Sequence, residues 1–412
     1  MKICLITPGH VSSTPRLVKE ADALAEAGYK VSVVAARHFE PVDALDEAVI
    51  SRSRWECHRV DAVSRARVLP SKVARKLAQA WVTRRAHPGI RMAALAEDAV
   101  TLRLVGPAAS QKADLYVGHC LGGLAAAALA AQANRVPFGF DIEDFHDGET
   151  EGAMGRAYLV KAAKVLQSTL LGKARYLTSA APLISERYRD IYGVAPACVL
   201  NVFPLSEAPA APVAPQPITD DAPAVLYWFS QTVGPDRGLE EMLAVIARMK
   251  TPACLHLRGF VSEAYRNALS RIAADLGVRH PPVFLPPAEP QEMVRLSAAA
   301  HAGICMEKPV VPNRDICLTN KIFTYILAGT PALLSPTSAH KELAPSLGDS
   351  ALVLPLSDPE KAAKAVDDLL GVPDALAVAR AAAWRLGHER YCWDIEKAVV
   401  LGQVAAALGG RP

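Results

Sequence analysis

Short, compact apolar runs alternate along this chain with segments whose apolar residues recur three and four positions apart. Residues 2–7 (KICLIT) form one such run, and Pro8-Gly9-His10 breaks it at once. From 17 to 27 the apolar positions fall at helical spacing, Gly28 closes the stretch, and 30–35 is apolar again. The pattern predicts a strand, a helix and a second strand. Parallel strands joined in this way need a right-handed crossover and a sheet buried on both faces. The alternation returns with a strand over 114–118, a helix over 121–133, a strand over 138–142 and another around 174–178. Repeated alternation of this kind predicts a doubly wound α/β domain, whose ligands sit at the carboxyl ends of the strands.

Between 204 and 223 the chain reads PLSEAPAAPVAPQPITDDAP, and six prolines in this stretch rule out a regular element. The alternation then restarts. Strands are expected over 225–229, 253–257, 283–285, 302–306, 332–335 and 351–354, with helices over 239–249 and 264–276. The expected organisation is therefore a Rossmann-like domain over 1–203, a Pro-rich linker over 204–224 and a second Rossmann-like domain over 225–383. A closing segment covers 384–412. Two such domains imply a cleft, where small-molecule sites prefer to form.

Composition changes this picture little. A chain of 412 residues with 51% hydrophobic and 21% charged residues is globular, and a net charge of +3 gives no nucleic-acid footprint. Eight scattered cysteines form no CxxC pair and no zinc-ligand spacing, which fits a reducing compartment. The first ten residues lack a signal-peptide pattern, and the Ala-rich run over 121–133 reads as a buried helix rather than a membrane span. The expected location is cytoplasmic.

Chemistry concentrates where strands end. Gly9-His10 is followed by Ser12, Ser13, Thr14 and Arg16, a loop that either approaches a ligand or makes an ordinary tight turn. His119, in Gly118-His119-Cys120, is either a ligand-facing or a satisfied interior histidine. FDIEDFHDGE gathers Asp141, Glu143, Asp144, His146, Asp147 and Glu149 into nine positions after an apolar strand. Clustered carboxylates are costly to bury, and paired acids with a histidine suit proton transfer to or from hydroxyl groups. The alternative is a solvated acidic loop. In the second half, SQTVGPDRGLEEML places Ser230, Gln231, Arg237 and Gly238 before a helix start, an arrangement suited to a diphosphate. MEKPVVPNRDICLTNKIFTYILAGTPALLS brings Glu307, Asn313, Asn320 and Lys321 ahead of an apolar helix stopped by Gly329 and Pro331.

These stretches resemble the retaining glycosyltransferases of family 4, across nearly the whole chain. STPRLVKEADALAEAGYKVSVV looks like that family's first strand–helix–strand unit, SQTVGPDRGLEEML like its donor-phosphate loop, and NKIFTYILAGTPALLS like its nucleotide-binding helix. The closing helix with Trp393 resembles the segment that crosses back to the first domain. The chain departs from the pattern at Thr232, where an Arg is usual, and at Thr324, where an acid is usual. Arg237 stands at the family's Lys position, and Glu143 stands where many members carry a histidine.

The resemblance implies a GT-B architecture, with a nucleotide-diphosphate sugar as co-substrate and no other cofactor or metal. It assigns Gly9, Ser230, Gln231, Arg237, Gly238, Glu307, Asn320, Lys321 and Thr324 to the donor. His10, Arg16 and His119 are assigned to a hydroxyl acceptor, with Glu143, Asp144 and His146 as the catalytic group that orients it. Arg237, Lys321 and helix dipoles would stabilise the departing diphosphate. A GT-B nucleotide-sugar epimerase and a non-enzymatic nucleotide-sugar-binding or scaffold protein are the alternatives.

One further stretch bears on partners. Between Arg52 and Lys112 lie Arg54, Arg59, Arg65, Arg67, Lys72, Arg75, Lys76, Arg84, Arg85, Arg91 and Arg103, opposed only by Glu56, Asp61, Glu97 and Asp98. Val73, Leu77, Trp81 and Val82 interleave at near-helical spacing. Such a segment is either a solvated helix face covering the sheet or a peripheral contact with an anionic inner-membrane face. The second reading suggests a lipid-linked glycan acceptor, as in cell-surface polysaccharide synthesis.

Overall fold

The computed structural model describes residues 1–63, 65–149 and 157–410, with side chains placed for all of these except 65–70. The chain divides into two compact units. The first holds Met1–Val199, Val311–Asn313 and Lys397–Pro412, and the second holds Leu200–Val310 and Arg314–Glu396.

The first unit is built on β1 (Lys2–Thr7), β2 (Lys30–Arg37), β3 (Glu56–Asp61), β4 (Leu115–His119), β5 (Phe138–Asp141), β6 (Tyr176–Ser179) and β7 (Ala197–Cys198). They form one parallel sheet in the order β3-β2-β1-β4-β5-β6-β7. Five of six residues in β1 are buried, because helices cover both faces of a parallel sheet. The helix Pro15–Glu26 starts with Pro15 at its first position and ends at Gly28, whose φ of 88° makes the left-handed stop. The Ala-rich run is the buried helix Cys120–Asn134. It seats closely on the sheet, because a Cβ at Gly118 would lie 2.3 Å from the Gly123 carbonyl and one at Gly123 2.6 Å from the Ile6 oxygen.

The second unit repeats the plan with β8 (Ala224–Val233), β9 (Ala253–Val261), β10 (Val283–Leu285), β11 (Ala302–Cys305), β12 (Ala332–Leu334) and β13 (Ala351–Val353). Its parallel order is β10-β9-β8-β11-β12-β13. Leu226, Trp228, Leu255, Leu257, Ile304 and Leu333 from the strands pack with Leu239, Met242, Leu243, Val366 and Leu370 from the helices. In both units the order reverses direction once, between β1 and β4 and between β8 and β11. These are the topological switch points at which open α/β sheets bind ligands.

Two segments differ from expectation. β3 was not anticipated, because ECHRVD sits beside only one strand and lacks an apolar run. The Pro-rich stretch carries one short turn of helix, Leu205–Glu207, but it is pinned to the second unit rather than free. Arg380 donates to the Val213 carbonyl, His301 Nε2 lies 2.8 Å from the Gln216 oxygen, and Phe203, Leu205, Ala208 and Val213 pack on Val294, Ala298, Leu327, Ala328 and Cys392. The helix Trp393–Ala407 begins in the second unit and ends in the first. No helix among the described residues is long and apolar enough to cross a membrane.

Candidate functional site

At the switch point of the second unit, the loop after β8 meets the end of β11. Gly238 has φ 67°, and a Cβ there would lie 2.5 Å from Met306 Cβ, so only glycine fits. This close approach carries Arg237 to Glu307, with Nη1 3.6 Å from Oε2. Lys321, from the first turn of the helix Asn320–Leu327, reaches the other carboxylate oxygen at 3.3 Å and lies 5.5 Å from the Trp228 ring centre. Glu307 and Lys321 are both buried. Burial alone would raise the Glu307 pKa, but Lys321 and Arg237 outweigh it and hold the carboxyl below its ordinary value.

Two cations thus converge on one carboxylate beside two helix N-termini. The helix Leu239–Ile246 follows Gly238 directly and, like Asn320–Leu327, receives no side-chain cap at its N-terminus. Its first-turn N–H groups and positive dipole end suit an anion. Trp228 Nε1 and His340 Nε2 are buried without a hydrogen-bond partner among the described residues. Gln231 is exposed, and Ser230 and Asn320 are part-exposed, which leaves these three accessible. Thr324 is not. It is fully buried, and its hydroxyl donates to the Asn320 carbonyl one turn back.

The first unit gathers a buried ion network at the ends of β4 and β5. Arg16 donates to both Asp141 oxygens at 2.8 and 2.7 Å and to the Val199 carbonyl at 2.9 Å. Thr178 donates to Asp141 at 2.7 Å, and Tyr176 donates to Glu20 at 2.9 Å. His119 lies 3.1 Å from Glu20 and 3.4 Å from Asp141. Burial alone would lower its pKa, but the two carboxylates push it up to about 9. His10 is equally committed. Its Nε2 accepts the His38 and Phe39 N–H groups, so Nδ1 carries the proton and donates to Asp46 at 2.7 Å. Arg16, His119 and His10 are all interior residues; the polar atoms of Arg16 and His10 are hydrogen-bonded, whereas His119 is held between two carboxylates without a hydrogen bond to either ring nitrogen among the described residues. Gly9 is not demanded by the local packing, since a Cβ there would make only ordinary contacts.

The acidic loop separates into residues that anchor it and residues without such ties. Asp141 is tied to Arg16, and Asp147 accepts from Gln167 at 3.0 Å and Tyr192 at 2.6 Å. Between them, the Asp144 N–H donates to the Ile142 carbonyl at 2.7 Å around Glu143, whose φ is 55°. Cys120, at the end of β4, has φ 59°. Left-handed residues other than glycine store about 1–3 kcal/mol each and cluster at functional sites. Burial, reinforced by Asp141 and Asp144, pushes the Glu143 carboxyl up to about 7 against the pull of Arg16. Asp144 is raised mainly by burial, and its Oδ1 accepts from Asn313 at 3.0 Å.

His146 Nδ1 lies 2.8 Å from Glu149 Oε2, while its Nε2 is buried without a hydrogen-bond partner among the described residues. Burial would lower its pKa, but Glu149, Asp144 and Glu97 push it up to about 9. The two shifts run the same way, each favouring the protonated form more than is ordinary, and a carboxyl and an imidazole shifted in this sense suit proton transfer. Two participants were missed in the sequence. Glu20 lies one helical turn after Arg16, a spacing that could have flagged it. Glu97, pushed up to about 7 by burial and by Asp98, carries no motif. His10, Asp43 and Asp46 bring three ligand-type atoms within 4.8 Å, but Asp43 is engaged by Arg37 and the other two by the bonds above.

No family model matches the chain, and no curated protein sequence matches it. Among solved structures, HepE of Anabaena in complex with UDP and glucose is similar at a TM-score of 0.70 and 13% identity, over 98% of this chain and 100% of that one. The sucrose-phosphate synthase of Thermosynechococcus elongatus is similar at 0.69 and 13% identity, over 99% of each chain. UDP-GlcNAc 2-epimerase of Neisseria meningitidis, bound to UDP-GlcNAc, is similar at 0.58 and 10% identity, over 98% of this chain and 100% of that one. The chain has the GT-B fold, two doubly wound parallel-sheet α/β units.

Proposed function

We propose that this protein is a glycosyltransferase that takes a sugar from a nucleotide-diphosphate donor and passes it to a hydroxyl acceptor. The observation that carries the reading is the convergence of Arg237 and Lys321 on Glu307, beside two uncapped helix N-termini at the β8/β11 switch point. Two cations and oriented N–H groups stabilise a diphosphate that gains charge as it leaves, without reorganising at that moment. Similar folds hold UDP with glucose in HepE and dTDP in the glycosyltransferase VinC, which supports a nucleotide-sugar donor. Glu143 accepts the acceptor's proton, and His146 and Asp144 orient the hydroxyl. Retention of configuration, and a role in cell-surface polysaccharide or glycolipid synthesis, follow from the family 4 resemblance. On this reading the cations of the site replace a metal ion.

Thermal unfolding with a panel of nucleotide sugars tests the donor. A ligand at a hundred times its dissociation constant stabilises the folded state by about 2.7 kcal/mol. One nucleotide sugar should raise the melting temperature, and Arg237→Ala and Lys321→Ala should each abolish the shift. Turnover without an acceptor that leaves an altered sugar on its nucleotide would instead establish an epimerase, the reaction of one similar fold. Absence of any shift across the panel would refute the donor site.

A further inference from the structure

The helix Arg65–Arg84 in the first unit leaves one apolar face uncovered. It packs through Ala78 and Val82, which are fully buried. Val73, Leu77 and Trp81 are 54%, 66% and 44% exposed. These three lie four residues apart, so they form a stripe drifting about 40° per step along one side of the helix. Three large apolar side chains in line are not the isolated surface residues that need no explanation.

The charges of this stretch of the sequence have one sign. Between Asp61 and Glu97 the sequence holds no carboxylate at all, while Lys72, Lys76, Arg84, Arg85 and Arg91 are exposed. Lys72 and Lys76 flank the stripe on one side. Arg85 flanks it on the other, with its guanidinium 4.6 Å from the Trp81 ring centre. Arg75 is turned inward, where it donates to the Ala96 and Glu97 carbonyls. Arg65 and Arg67 lie outside the described side chains. A neutral protein groove would meet the apolar stripe but leave these cations without partners. An anionic bilayer surface meets both, since apolar side chains enter the acyl boundary while Lys and Arg reach the headgroups.

We propose that the helix Arg65–Arg84 is a docking surface for an anionic lipid bilayer, lying in the interface plane through Val73, Leu77 and Trp81 with Lys72, Lys76, Arg84 and Arg85 on headgroup phosphates. The proposal does not depend on the donor reading, because none of these residues belongs to the switch-point site. It adds that an acceptor held in or on such a bilayer is delivered to the first unit by two-dimensional rather than three-dimensional encounter.

Sedimentation with phosphatidylcholine vesicles, with and without phosphatidylglycerol, tests it on the full chain. The protein should sediment with the anionic vesicles only, and less so as salt shortens the screening length. Each cation near such a surface is worth roughly fivefold in partitioning, so Lys72→Glu/Lys76→Glu/Arg84→Glu/Arg85→Glu should lose at least about a hundredfold. Leu77→Glu/Trp81→Glu should also lose binding. Because all six positions are exposed, both variants should keep the wild-type melting temperature and the wild-type response to nucleotide sugars. Unchanged sedimentation of either variant, or equal binding to neutral vesicles, would overturn the proposal. So would a wild-type dimer in analytical ultracentrifugation that Leu77→Glu dissociates, since the stripe would then belong to a second copy.

Discussion

Arg16→Met removes the cation that makes burial of Asp141 tolerable, and its effect should carry a distinctive pH signature. Both side chains are buried, and the guanidinium supplies two of the hydrogen bonds that Asp141 accepts. Removing one partner of a buried ion pair costs about 3–5 kcal/mol, because the other charge stays desolvated. Thr178 and the His119 cation remain beside Asp141, which places the expected loss near the lower end, about 3 kcal/mol at neutral pH. In the wild type, burial raises the Asp141 pKa but Arg16 and His119 outweigh it, so the carboxyl titrates below its ordinary range. A depressed folded pKa gives stability that is present above the unfolded value of about 3.9 and is lost as pH falls through the folded one. Without Arg16 the folded pKa rises, so the variant takes up its proton first. The deficit should therefore be full at pH 7 and shrink toward acid. Hydrogen exchange of the β1, β4 and β5 amides reads the opening free energy of this unit directly. Arg16→Met/Asp141→Leu should recover much of the loss, because it leaves His119 balanced by Glu20. A deficit under about 1 kcal/mol, one that ignores pH, or a double variant as weak as the sum of its singles would refute the argument.

Gly238→Ala places a Cβ 2.5 Å from that of Met306 at φ 67°, so it should cost about 1–3 kcal/mol and weaken nucleotide-sugar binding. Thermal unfolding and a binding titration check both effects. With Glu143 held up to about 7 and required as carboxylate, kcat/KM should rise tenfold per pH unit below 7 and level off above it. Glu143→Gln should remove that limb and lower kcat by about 10²–10⁴-fold. The same raised pKa means that the folded state holds the proton more tightly between its ordinary value and 7. Stability at this residue therefore falls as pH rises through that window, and Glu143→Gln should flatten the fall. Turnover should persist in excess EDTA, since the reading assigns the leaving diphosphate to Arg237 and Lys321; loss of turnover restored by a divalent ion would contradict it.

Most of the fold was readable because a parallel sheet writes its burial into the sequence. β1, β2, β4 and β11 are continuous apolar runs, and turn residues such as Pro8 and Gly28 bound them. β3 escaped because an edge strand of Glu, His, Arg and Asp carries no such signature and is held by pairing with β2. The Pro-rich stretch escaped differently. Its composition excludes helix and strand but says nothing about Arg380, far along the chain, which fixes its path.

The concentration of charge at the strand ends was legible in the sequence, and the partners of those charges were not. The structure brings Arg237, Glu307 and Lys321 together from three separate segments at strand ends. In FDIEDFHDGE, however, six ionisable residues look alike until their partners are known. Asp141 and Asp147 are consumed by Arg16, Gln167 and Tyr192, and because they hold the loop at both ends, Glu143 can be kept in a strained left-handed turn. The partners lie between 20 and 125 residues away, outside any local motif. Histidine roles follow the same logic. His10 is closed off by two backbone N–H groups and Asp46, whereas His146 keeps one nitrogen without a partner among the described residues. A sequence therefore shows where charge is concentrated, but which of those charges remain for chemistry is settled by the long-range partners that neutralise the others.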